Sequence, residues 1–223
     1  STKDLNSSKS MNTLLHLTEA YTSLYSIWSD TSLKRRLEDL LHIFLTHIID
    51  PRTAHQRLFF DDCWNSLSDH VSFGHDIETS WLLQETAEAI QSPALLQQVK
   101  AISLNMASAV YHQALGADGS LIYESSPHHQ VLSRQWWAHA EAVVGFFNAW
   151  QLSGAERYLQ ASIRVWQYIQ GHFIDRKHGD WYKVLRPNGT PVLSHHKVGP
   201  WECPYHHARM CMEMIRRLQN FTE

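Results

Sequence analysis

Histidine and glutamate recur together in this chain at spacings that suit one face of a helix. His75 and Glu78 are three apart, and Asn12 and His16 are four apart, so each pair shares a face. A third stretch holds Trp136, Trp137, His139 and Glu141. A fourth runs Trp201-Glu202-Cys203-Pro204-Tyr205-His206-His207. Imidazole changes charge near neutral pH, so it can take a proton in one form and return one in the other. Indole offers flat apolar faces that can stack on a sugar ring. The 16 His and 9 Trp among 223 residues point the same way, to acid/base chemistry on a ring-shaped polar ligand.

Each of these residue types also has a plainer use. A lone histidine on a helix is most often a hydrogen-bonded structural residue. His47 and His172 fall near helix C-termini, where a cation complements the dipole, and read as structural. His112, His128, His129 and His178 lie on surface-like stretches. Phe146, Phe147 and Trp150 read as core, and Cys203 and Cys211 as packing. Repetition of His with Glu lifts Asn12, His16, His75, Glu78 and His206 above that background. Several His and Glu could be metal ligands, but there is no HExxH and no dense ligand pair, so no metal is expected. Glu78 and Glu141 could also serve as the acid and base of a glycosidase. The histidines beside them fit proton transfer at carbon better. No Gly-rich phosphate loop supports nucleotide binding.

The elements that must position these residues are helical. Apolar periodicity predicts helices over about 11–28, 33–49, 76–90, 93–115, 135–152 and 155–173, and a last one from near Pro204. Strand signals are confined to Arg57–Phe60, Leu121–Tyr123, and Trp181–Leu185 with Thr190–Leu193 around Pro187-Asn188-Gly189, all read as small hairpins in loops. The helices repeat. Glu19-Ala20 through Trp28 aligns with Glu141-Ala142 through Trp150, and His75-Asp76-Ile77-Glu78 with His16-Leu17-Thr18-Glu19. Three helical hairpins spaced by roughly 60 residues, plus a closing helix, form part of a solenoid or toroid. In a toroid the first helices of the hairpins line the cavity, so their polar starts converge. A closed toroid of six hairpins would leave this chain with an open edge and exposed apolar surface.

Composition narrows the class. Hydrophobic residues make up 43% and support a core, while a formal net charge of −3 without charge blocks argues against a nucleic-acid partner. No apolar run approaches the ~20 residues needed to span a bilayer. Three widely spaced cysteines, Cys63, Cys203 and Cys211, suggest neither a disulfide framework nor a zinc ribbon, and a cytoplasmic setting is expected. The polar opening STKDLNSSKS, without an initiator Met, reads as the middle of a longer protein.

Four segments resemble the cellobiose 2-epimerases, within the N-acylglucosamine 2-epimerase superfamily. They are Ser10-Met11-Asn12-Thr13 with His16; Gly74-His75-Asp76-Ile77-Glu78 with Trp81-Leu82-Leu83; Gln135-Trp136-Trp137 leading into Ala140-Glu141-Ala142-Val143-Val144-Gly145-Phe146; and Val198-Gly199-Pro200-Trp201-Glu202-Cys203-Pro204-Tyr205-His206. The last departs from the common pattern at Glu202 and His207, where the family often has Lys and Asn. The resemblance implies an all-α (α/α)6 barrel, with residues 1–223 as its C-terminal portion and an N-terminal portion as a possible missing partner. It implies a cofactor-free isomerase that inverts C2 of the reducing-end sugar of a disaccharide. In that scheme His75 and His206 are the proton-transferring pair, and Glu78 orients His75. Asn12, His16, Trp136, Trp137, Glu141 and Trp201 contact the substrate. The family's enediolate-stabilising Arg belongs to the other half. Arg134 and Arg209 lie near the motifs without matching it. The alternatives are a non-catalytic sugar-binding fragment and the glycosidase using Glu78 and Glu141.

Overall fold

The computed structural model describes residues 7–200, 202 and 204–219. Helices α1 (Met11–Ile27) and α2 (Thr31–Ile43) form a first hairpin. Helices α3 (Phe73–Ile90) and α4 (Pro93–Gln113) form a second, α5 (Trp136–Ser153) and α6 (Glu156–Tyr168) a third, and α7 (His206–Gln219) closes the series. Local chemistry sets several boundaries. Ser10 Oγ accepts the Thr13 N–H at the start of α1, and Asp30 accepts those of Ser32 and Leu33 at the start of α2. Pro93 occupies the first turn of α4, where a missing N–H costs nothing. Gly154, at φ +68°, ends α5 in the left-handed region that glycine enters without strain.

The hairpins stack in two layers. Inner helices α1, α3, α5 and α7 lie side by side in sequence order. Outer helices α2 and α4 each pack on the inner helix of their own hairpin and on the next one, and α6 packs on α5. The expected series of three hairpins and a closing helix is therefore present, as an open arc and not a closed barrel. Helices α3 and α5 are buried around most of their circumference and cross closely. A Cβ on Gly145 would stand 2.6 Å from Ile77 Cγ1, and one on Gly74 would stand 2.7 Å from the Trp137 ring, so only glycine allows this approach.

Short strands fasten the starts of the inner helices. Two-residue strands β1 (Lys9–Ser10), β3 (Val71–Ser72) and β6 (Arg134–Gln135) run directly into α1, α3 and α5. Each pairs antiparallel with a strand that follows the outer helix of the same hairpin: β2 (Phe59–Phe60), β4 (Glu124–Ser126) and β7 (Val184–Leu185). Strand β5 (His129–Val131) folds back on β4. The expected strand at Leu121–Tyr123 is absent. Leu121 makes one bridge to Leu115, and the ladder begins at Glu124. That bridge has counterparts at Ile49–Gln56 and Ile174–Trp181, so every repeat closes alike. The turn at Pro187-Asn188-Gly189 is real: the Gly189 N–H bonds Arg186 O, with Gly189 at φ +80°. Helices α2 and α6 each end in one wider π-helical turn, at Phe44–Ile48 and Ile169–Phe173.

Much of the apolar exposure falls on the two outermost inner helices. Leu17, Leu24 and Ile27 on α1, with the following Trp28, and Met212, Ile215 and Leu218 on α7 face solvent. Cys211 is exposed on that same helix and is not the packing residue its type suggested, because α7 is covered on one side only. Cys203 and Trp201 lie outside the described residues. No helix among the described residues is long and apolar enough to cross a membrane.

Candidate active site

The starts of the inner helices surround a cavity of about 1290 Å³. Asn12 and His16 reach it from α1, His75 and Glu78 from α3, Trp136 and Trp137 from α5, and His206 from α7. Its outer wall is formed by Phe59, the 66–70 loop, Tyr123, Lys183 and Glu202. The convergence has a simple cause. His16, Glu78 and Glu141 each lie five residues after the start of their helix, and the strand before each start fixes the phase.

The rings of His75 and His206 both pack against Trp137, their centroids 4.7 and 5.3 Å from its own. The protein holds both through Nδ1. Ser72 Oγ shares a 2.7 Å hydrogen bond with His75 Nδ1, and Glu141 Oε1 lies 2.8 Å from His206 Nδ1. Nδ1 of each ring is thus engaged by the protein. Trp136 is the more buried indole, its ring against both His206 and His207.

Behind His206 lies an ionic cluster. Arg209 Nη2 donates to Glu78 Oε1 at 2.6 Å and to Glu141 Oε1 at 2.7 Å. Its Nη1 donates to Glu19 Oε1 and, at 2.8 Å, to the Tyr205 hydroxyl. The second oxygen of Glu141 accepts from Trp81 Nε1 at 3.0 Å, and Glu19 also accepts from the Tyr205 hydroxyl and pairs with His16 Nδ1 at 3.2 Å. Burial alone would raise all three carboxyl pKa values. For Glu19, the His16 bond and the Arg209 charge outweigh burial and hold the value at about 2. For Glu141, Arg209 and His206 likewise win and lower it. For Glu78, burial and the nearby Glu141 charge win and raise it. The bond to Glu19 raises His16.

Glu78, Glu141 and His206 lie close enough to hold a metal ion, their ligand atoms within 4.8 Å of one another. The Arg209 guanidinium already bonds the same two Oε1 atoms, so a cation stands at that place. Both oxygens of Glu141 are taken up by Arg209, His206 and Trp81, which leaves no atom to serve a glycosidic bond.

His139 belongs to none of this. It is fully buried, bonds Gln135 O through Nδ1 and accepts the Leu121 N–H on Nε2, and burial pushes its pKa down to about 3. It is a neutral strut. Arg134 donates to Leu121 O on the same side. Sequence reasoning overlooked Glu19, Trp81, Tyr205 and Arg209 as parts of the site. One available signal was the three-residue spacing of His206 and Arg209, which puts them on one face of α7.

The family described as N-acylglucosamine 2-epimerase (GlcNAc 2-epimerase) matches residues 1–210. A cellobiose 2-epimerase of Bacteroides fragilis is 41% identical over 96% of this chain and 55% of its own length. The crystal structure of a sugar epimerase from a ruminal bacterium superposes with a TM-score of 0.94 at 38% identity, over 97% of this chain and 56% of that one. The cellobiose 2-epimerase of Bacillus thermoamylovorans gives 0.89 at 36% identity, over 95% and 54%. The chain thus spans about half the length of the curated relatives it matches.

Proposed function

The chain belongs to the N-acylglucosamine 2-epimerase family, and from that premise we propose that its cavity inverts C2 of the reducing-end glucose of a β-1,4-linked disaccharide such as cellobiose. The observation that carries this reading is the pair His75 and His206, whose rings both pack against Trp137 at the cavity and are each hydrogen-bonded through Nδ1. In the open-chain sugar, Nε2 of one ring removes the C2 proton, and the bonding pair moves toward O1 to give a cis-enediolate. The other ring, as imidazolium, delivers a proton from its Nε2 to the opposite face of C2. One base ends protonated and one acid ends neutral, so the pair resets by exchange with solvent. No further cofactor enters this scheme. Glu78 lies 3.7 Å from His206 Nδ1, and its Oε2, buried without a partner, suits a sugar hydroxyl. Asn12 and His16 supply polar contacts from α1, and Trp137 stacks on the sugar. The volume suits a disaccharide, being larger than common small-ligand pockets.

Incubation with cellobiose in D₂O, followed by proton NMR, tests the reading. Deuterium should enter C2 as the glucosyl-mannose epimer appears. His75→Asn and His206→Asn should each lower exchange by about 10²-fold or more. Release of monosaccharide instead would overturn the reading in favour of hydrolysis.

A further inference from the structure

We propose that Arg209 is the positioning residue of this site: it joins Glu19, Glu78 and Glu141 into one cluster and, through Glu141, holds His206 with Nδ1–H donated to the carboxylate and Nε2 left for the cavity. This role depends on the epimerase reading for what His206 does, while the ionic geometry stands without it.

The three glutamates come from three different inner helices, α1, α3 and α5, and the arginine from the fourth. Arg209 bonds all three carboxylates and the Tyr205 hydroxyl, and its guanidinium lies 5.0 Å from the Trp81 ring centroid and 4.7 Å from that of Tyr205. Glu78 and Glu141 are completely buried, and charges so placed persist only when paired. The other groups facing the cluster are His16, on Glu19, and His206, on Glu141 and Glu78. Neither histidine reaches all three carboxylates in the described bonds. Glu78 Oε1 and Glu141 Oε1 meet on the same Arg209 nitrogen, so without the guanidinium the two oxygens face each other. Two carboxylates so placed take up a proton between them. A protonated Glu141 can donate to His206 Nδ1, which moves the ring proton to Nε2 and removes the base. Lysine cannot replace the guanidinium, because one ammonium lacks the fork that spans the three carboxylates.

Imidazole ¹⁵N NMR of the purified chain, beside the C2 exchange assay, tests this with Arg209→Met and Arg209→Lys. The parent should show His206 in the Nδ1–H tautomer. Arg209→Met should lose it at neutral pH, shift the pH profile of exchange, and lower kcat by about 10²-fold with KM changed less than about threefold. Arg209→Lys should lower kcat by about tenfold and shift the profile in the same direction. A folded Arg209→Met with the parent's tautomer and pH profile would overturn the role. Should that variant fail to fold, Arg209→Lys decides, and an unchanged tautomer and profile there overturns it equally. A parent that exchanges no C2 proton, but whose tautomer depends on Arg209, would refute the proposed reaction and leave this role standing.

Discussion

Helices α3 and α5 are wrapped by neighbours on nearly every side, whereas α1 and α7 are covered on one side and expose Leu17, Leu24, Ile27, Met212, Ile215 and Leu218. Both kinds of helix contribute to the same cavity. His75, Glu78 and Glu141 stand on the enclosed pair, and His16, His206 and Arg209 on the edge pair. The enclosed helices hold their residues by packing: Ile77, Trp81 and Phe146 are buried, and the glycine crossings leave no slack. The edge helices hold theirs largely by charge, since Arg209 of α7 and Tyr205 just before that helix bond Glu19 of α1. A site can therefore be rigid on one side through dispersion and on the other through ion pairs, and the two sides should fail differently.

The largest expected effect lies on the enclosed side. Phe146→Ala on α5 should cost about 4 kcal/mol of unfolding free energy by denaturant titration, because the ring is completely buried and the cavity cannot collapse. The edge side should instead respond to acid. The folded Glu19 carboxyl is held at about 2 against an ordinary 4.5, so its contribution is present above pH 4.5 and is lost as pH falls toward 2. At neutral pH it amounts to at most about 3 kcal/mol. The stability gap between parent and Glu19→Gln, measured at pH 7 and again at pH 3, should therefore narrow with acid. A gap independent of pH would remove the distinction drawn between the two sides. Gly145→Ala should cost about 2 kcal/mol, since the added methyl meets the Ile77 side chain and its backbone oxygen at 2.6 and 2.7 Å. Leu218→Ser on the open face of α7 should change stability by less than about 0.5 kcal/mol, read from the thermal midpoint.

Much of this was legible in the chain itself. Apolar spacing placed every helix to within a few residues, because an amphipathic face must meet a core whatever the fold. The repeat of Glu19, Glu78 and Glu141 was visible as an alignment, yet its meaning was not. Counted from the helix starts, His16 matches Glu78 and Glu141, and Glu19 stands one turn deeper. Only the converging axes of four helices bring Glu19 onto the same arginine. The strands were legible in part. Phe59–Phe60 and the Pro187-Asn188-Gly189 turn carry local signals, while Lys9–Ser10 and Val71–Ser72 exist because a distant strand pairs with them.

The sequence by itself determined the helical class, the three-hairpin repeat and the side-chain types that can exchange protons. Those follow from periodicity and side-chain type, which are local properties. Tertiary structure alone decided that Ser72 holds His75, that Glu141 holds His206, and that Arg209 binds three carboxylates from three other helices. Hydrogen-bond partners depend on distance and direction between elements far apart in the chain, and no spacing along one helix encodes them.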